Sequence, residues 1–134
     1  MADDIRVAIR TDADVVTARQ EARTMGASLG FTSTDLTLLA TAISEVARNI
    51  TTYAGMGQVA LRVVRQGARE GIEVVASDDG PGIADVELAM RDGYTTGNGL
   101  GLGLPGTRRL VDDFELATEP GVGTTIRLVK WTRA

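Results

Sequence analysis

Residues 58–82 read Gln-Val-Ala-Leu-Arg-Val-Val-Arg-Gln-Gly-Ala-Arg-Glu-Gly-Ile-Glu-Val-Val-Ala-Ser-Asp-Asp-Gly-Pro-Gly. Two runs rich in β-branched residues, Gln58–Arg65 and Gly71–Ser77, flank the short Gln66-Gly67-Ala68-Arg69-Glu70 link, which predicts an antiparallel hairpin. The second run ends in Asp78-Asp79-Gly80-Pro81-Gly82, a turn by composition. Upstream, Ile5, Val7 and Ile9 alternate with Asp4, Arg6 and Arg10, the pattern of a short half-buried strand. Asp12 is the expected N-cap of a helix carrying Val15, Ala18, Ala22 and Met25 and ending near Gly30. A second helix opens between Thr32 and Asp35 and runs to Tyr53, its apolar stripe formed by Leu38, Leu39, Ala42, Ile43, Val46, Ile50 and Tyr53, with Gly55 or Gly57 as the stop. Downstream the reading gives a short helix near Ala84–Arg91, a glycine-rich stretch over 93–103, and a helix over roughly 104–113. Strands at Phe114–Thr118 and Thr124–Trp131 close the chain. The order β-α-α-β-β-α-α-β-β predicts an α+β two-layer sandwich in a single domain spanning 1–134, with helices on one face of a mixed, mostly antiparallel sheet.

Composition narrows the chemistry. At 134 residues, 43% hydrophobic and 24% charged, the chain can bury one core and has the balance of a soluble globular domain. Without cysteine there is no disulfide, thiolate nucleophile or zinc ribbon, and without histidine no Ser-His-Asp triad and no imidazole metal cage. A metal here must be held by oxygen, which points to magnesium or calcium. A net charge of −4 argues against a nucleic-acid partner. The longest uncharged stretch, Gly93–Thr107, is 15 residues, half a dozen of them glycine, too short and too glycine-rich for a transmembrane helix. The acidic Met-Ala-Asp-Asp start is unlike a secretion signal, so a cytoplasmic protein is expected.

Four constellations remain. Glu45 and Asn49 stand i,i+4 on the second helix and share a face, with Arg48 one position off it; a carboxylate and an amide oxygen there suit a hard cation and an attacking hydroxyl, although such spacing alone is more often a solvated face. Asp78-x-Gly80-x-Gly82-Ile83 puts a carboxylate at a strand end before two glycines that let backbone approach a planar ligand, or else is a simple tight turn. Gly97-Asn98-Gly99-Leu100-Gly101-Leu102-Gly103-Leu104, leading into a helix, presents bare backbone amides fit for phosphates, yet lacks the Gly-Lys-Ser/Thr of a Walker loop. Gly121-Val122-Gly123-Thr124 enters the last strand and alone reads as a hairpin turn.

In this order the four boxes, E-x-x-x-N, D-x-G-x-G-I, G-x-G-x-G-x-G-L and G-x-G-T, resemble those of the GHKL family of ATPases and kinases. Ile43–Ile50, Tyr53-Ala54-Gly55, Gln58, Gly80-Pro81-Gly82-Ile83 and Gly103-Leu104-Pro105-Gly106 are similar in finer detail to the RsbT-type switch kinases of the bacterial stressosome. The resemblance implies a Bergerat-type ATP-binding fold with ATP and Mg2+ as cofactors. It implies that Asn49 binds the magnesium, that Glu45 orients or deprotonates the attacking hydroxyl beside Arg48, and that Asp78 accepts the adenine amine. It further implies that Gly80 and Gly82 admit the base, that Gly99, Gly101 and Gly103 line the ATP lid, and that Thr124 closes the adenine pocket. With no histidine acceptor in the chain, the phosphate goes to a partner: the resemblance implies a serine/threonine kinase acting on STAS-domain scaffold or antagonist proteins, then released to a downstream regulator, a phosphatase or another output protein. The alternative is an anti-sigma factor that sequesters a sigma subunit and phosphorylates its STAS-domain antagonist.

Overall fold

The structure, a computed structural model, describes residues 4–83, Met90 and residues 103–132. The expected helix near Ala84–Arg91 and the glycine stretch up to Leu102 lie outside the described residues. Within them the order is β1 (Ile5–Ile9), α1 (Asp12–Leu29), α2 (Ser33–Tyr53), β2 (Gly57–Gln66), β3 (Arg69–Asp78), α3 (Gly103–Leu110), β4 (Asp113–Glu119) and β5 (Gly123–Trp131).

The five strands lie in the order β1-β2-β3-β5-β4, and every pairing is antiparallel. The expected mixed component is therefore absent from the described strands. The one place where a parallel pair could form is relieved by β5 inserting between β3 and β4, so that each strand meets only neighbours of opposite direction. The β2–β3 hairpin closes through the two residues between Gln66 and Arg69, with Gly67 at φ +61°, the positive value that the first position of a tight two-residue hairpin loop requires. The link is thus two residues rather than five, and both strands run further toward the turn than their β-branched cores alone indicate.

Period-two alternation gives the sheet one greasy face. Val7, Ile9, Val59, Leu61, Ile72, Val74, Ala76, Ile126 and Leu128 are buried on it, facing the stripe of α1 (Val15, Ala18, Ala22) and of α2 (Leu39, Ala42, Ile43, Val46, Ala47, Ile50). Burial of this set, at ~25 cal/mol per Å2 of apolar surface, is the term that holds the two layers together. α3 packs on α2 through Leu104, Pro105 and Thr107, all buried.

Helix ends show where local chemistry refines the sequence pattern. Thr11, not Asp12, caps α1: its hydroxyl accepts from Asp14 N while the Asp14 carboxylate accepts from Thr11 N, a reciprocal capping box. Thr32 caps α2 by accepting from Asp35 N at 3.1 Å. α2 ends at Tyr53, and of its two expected stops Gly55 serves: it holds φ +84° and its N–H returns to Ile50 O at 2.9 Å. α3 stops at Leu110, three residues short of the expected end, because Asp112 N turns to donate to Val129 O and chain pairing with β5 begins at Asp113.

Candidate functional site

Glu45, Arg48 and Asn49 lie on α2 where its buried stripe meets its outer face. Ser44, Val46, Ala47 and Ile50 beside them are buried, so the backbone under these side chains is held by the core. The Glu45 side chain is 14% exposed and that of Arg48 is 54% exposed; Arg48 Nη1 donates to Glu45 Oε1 at 3.4 Å. The contact that one-turn spacing promises is made. At that length, and with one partner in solvent, it is worth about 0.5 kcal/mol and orients the carboxylate more than it stabilises the fold. Asn49, half-buried, stands one turn beyond Glu45 on the same side. Behind this face Ser44 Oγ donates to Ala40 O and accepts from Arg19 of α1 at 3.3 Å, tying the two helices together one residue before the carboxylate.

The second group gathers at the end of β3. Asp78 Oδ1 accepts from Gly80 N at 2.9 Å, which fixes the carboxylate and bends the chain out of the sheet. The glycines of this turn answer first to the protein's own packing. A Cβ on Gly80 would come within 2.5 Å of Ala54 Cβ at the C-cap of α2. Gly82, at φ +75°, lies against the Glu119 carbonyl and Pro120, and Gly121 N donates to Pro81 O at 2.7 Å. Gly123 abuts the Asp78 backbone. The D-x-G-x-G box and the G-x-G-T box are thus two sides of one junction, pressed together at the end of α2.

Thr124 is buried and paired in register with Asp78. Its hydroxyl lies 2.9 Å from that of Thr118, which accepts from Ile83 N at 2.8 Å and donates to Gly123 O at 3.1 Å. Since Thr118 spends its proton on Gly123 O, Thr124 donates to Thr118 and keeps acceptor capacity of its own. Thr118 is the residue that the sequence reading missed. It stands in the Glu-rich edge of β4, and only the β4–β5 register brings it to Thr124.

Gly103 opens α3 at φ +70°, and its carbonyl accepts from the buried Thr107 hydroxyl at 2.9 Å. Gly99 and Gly101 lie outside the described residues. Among the described residues no three acidic side chains converge to form a ready-made metal cage. The donor set of Glu45 and Asn49, one carboxylate and one amide oxygen on a partly open face, still fits magnesium. That ion keeps several waters and takes one or two protein ligands together with substrate phosphates.

These features define a class: a helix face bearing a carboxylate and an amide, an aspartate turn wedged at the sheet end, and Gly103 opening a helix packed on the first. Residues 34–133 match the family of histidine kinase-, DNA gyrase B-, and HSP90-like ATPases, and the chain belongs to that family. Within it, the chain is 46% identical over 133 residues to the serine/threonine-protein kinase RsbT of Bacillus subtilis, covering 99% of this chain and 100% of that one. It is a full-length homologue of that kinase, and its enzyme class is that of an ATP-dependent serine/threonine-protein kinase. Anti-sigma F factors are more distant relatives: that of Caldanaerobacter subterraneus is 29% identical over 118 residues (85% of this chain, 82% of the other), and that of Halalkalibacterium halodurans 31% over 109 residues (78% and 75%). The fold is shared with a crystal structure of the RsbU and RsbW domains of a Mycobacterium tuberculosis protein, with a TM-score of 0.68 at 19% identity over 100% of this chain and 33% of that longer one.

Proposed function

We propose that the chain transfers the γ-phosphate of magnesium–ATP to a serine or threonine of a STAS-domain scaffold or antagonist protein. It is then released to engage a downstream regulator, a phosphatase or another output protein, in the cytoplasm. The observation that carries this reading is the 46% identity to a serine/threonine-protein kinase across its whole length. The arrangement on α2 supports it. Glu45, kept partly out of solvent and touched by Arg48, orients or deprotonates the acceptor hydroxyl, while Asn49 holds the magnesium, whose charge offsets that developing on the phosphates. Asp78 accepts the adenine amine, Thr124 closes the base pocket with Thr118 behind it, and the glycine set ending at Gly103 offers backbone amides to the phosphates.

The test is transfer of labelled γ-phosphate to a STAS-domain protein, with Glu45→Ala and Asn49→Ala beside the unaltered chain. Label on serine or threonine, lost in both variants that still fold, is the expected outcome. Undiminished transfer by Glu45→Ala would remove that residue from catalysis. A second reading, an anti-sigma factor that binds a sigma subunit and phosphorylates its antagonist, is favoured by the anti-sigma F relatives but at 29–31% identity over less of the chain. Stoichiometric capture of a sigma factor would put it first.

A further inference from the structure

The inner face of β5 carries a lysine where its neighbours two and four residues back are Leu128 and Ile126. Lys130 is 3% exposed, and Asp35, in the first turn of α2, is 4% exposed. Lys130 Nζ donates to the carbonyl of Leu110, the last residue of α3, at 2.9 Å, and stands 3.9 Å from Asp35 Oδ1. The first distance is a hydrogen bond; the second is a charge–charge contact. A buried ammonium is expensive, and replacing a buried ion pair as a whole by apolar residues of the same volume commonly leaves stability unchanged or improves it. What the lysine supplies that a leucine cannot is direction. One cation joins the C-terminal end of α3, where carbonyl partial charges favour it, to the start of α2 and to the sheet.

We infer that Lys130 is a positioning residue for nucleotide binding: by anchoring the C-terminal end of α3 it sets how α3, and the Gly103 that opens it, sits against α2. This inference rests on the nucleotide-binding reading above. α3 is eight residues long; its first turn is closed internally by the Thr107 hydroxyl donating to Gly103 O, and its last residue is held from outside by Lys130 donating to Leu110 O. So short a helix moves as a rigid unit. Slack at Leu110 is therefore carried to Gly103, whereas α2, fixed by its own core stripe, keeps Glu45 and Asn49 in place. Asp35 faces the same ammonium, so with Asp35→Asn held constant a comparison at position 130 isolates the bond to Leu110 O.

That comparison is made by calorimetric binding of magnesium–ATP to the full chain. Lys130→Met alone removes a cation beside the buried Asp35 carboxylate and lowers the urea midpoint. Combining it with Asp35→Asn removes both charges and restores the midpoint toward that of the unaltered protein. The affinity for magnesium–ATP stays about tenfold weaker, within the range by which residues remote from a ligand change its binding. In phosphotransfer the loss falls on the KM for ATP and leaves kcat nearly unchanged. Asp35→Asn with Lys130→Gln, which returns a neutral donor to the Leu110 carbonyl, recovers the affinity. If the methionine and glutamine forms bind alike, tightly or weakly, the inference is overturned. Should the methionine form fail to fold, amide exchange of residues 103–110 in the glutamine form replaces it: wild-type protection with wild-type affinity supports the anchor, and lost protection with unchanged affinity overturns it. Absence of binding by the unaltered chain would instead sink the nucleotide reading itself.

Discussion

Gly82 and Gly67 both hold positive φ, +75° and +61°, yet their surroundings differ. Around Gly67 an added Cβ meets nothing within 4 Å, whereas at Gly82 it runs into the Glu119 carbonyl and Pro120. Gly67→Ala is therefore expected to cost about 1 kcal/mol, the backbone penalty alone. Gly82→Ala costs about 3 kcal/mol because packing strain is added. Urea unfolding of the two variants checks the difference, and equal losses would mean that the Gly82 junction yields. Asp78 gives a sharper functional prediction. Its Oδ1 already accepts from Gly80 N, so in Asp78→Asn the amide oxygen stays on that bond and the NH2 takes the other position. A donor there cannot accept the adenine amine, so nucleotide affinity falls while stability holds; unchanged affinity would remove Asp78 from the pocket. Asp78 was legible as a strand-end carboxylate. That its glycine neighbours are demanded by Ala54 and Glu119 was not, because those contacts join segments more than twenty residues apart.

Among the elements, α1 shows most directly how a short signal becomes stability. The hydrogen bond from the backbone N–H of Arg10 holds the Asp14 carboxyl below its ordinary range; burial opposes it, and the bonds from Thr11 add to the lowering. A carboxyl lowered in the folded state stabilises the fold above its unfolded pKa, and the gain disappears as pH falls through the native value. Thr11→Ala opens the other half of the box and is expected to cost about 1 kcal/mol of stability near neutral pH. Thermal unfolding measures it, and no loss would show that the helix end frays in any case. α2 was readable almost to the residue because its stripe, Leu38 to Tyr53, keeps helical period over about four turns and polar residues bracket it. α3 was placed but overextended, since the pairing that ends it depends on Val129, which is remote in sequence.

Across the whole molecule, the face of the sheet away from the helices carries a row of charge. Glu73, only 5% exposed, accepts from Arg62 Nε at 2.5 Å on β2 and from Arg127 Nε at 2.6 Å on β5, and Arg127 continues to Glu115 on β4 at 3.1 Å. Burial pushes the Glu73 carboxyl up, but the bonds and charges of the two arginines together outweigh it and hold the carboxyl below its ordinary 4.5. This ladder therefore stabilises the fold at pH above 4.5 and is lost as acid protonates Glu73 below that value. Glu73→Gln is expected to lower stability at pH 7 by about 2 kcal/mol and to flatten its fall in acid. Urea midpoints from pH 7 downward test this, and a slope identical to the unaltered protein would place the acid sensitivity elsewhere.

The sequence by itself determined the local and periodic parts of this protein: the stripes of α1 and α2, the β2–β3 hairpin, the exclusion of thiol and imidazole chemistry, and a family whose boxes run in one order. It did so because those features depend on residues a turn or two apart, where spacing alone sets which side chains share a face. Only the tertiary structure decided the rest. The fully antiparallel order with β5 between β3 and β4 brings Thr118 and Thr124 together beside Asp78, packs two glycine turns against each other, and carries Lys130 to the end of α3. These contacts form between segments that the chain must close over long loops. Their entropy is repaid only when the common core forms, and no local pattern of residues encodes that closure.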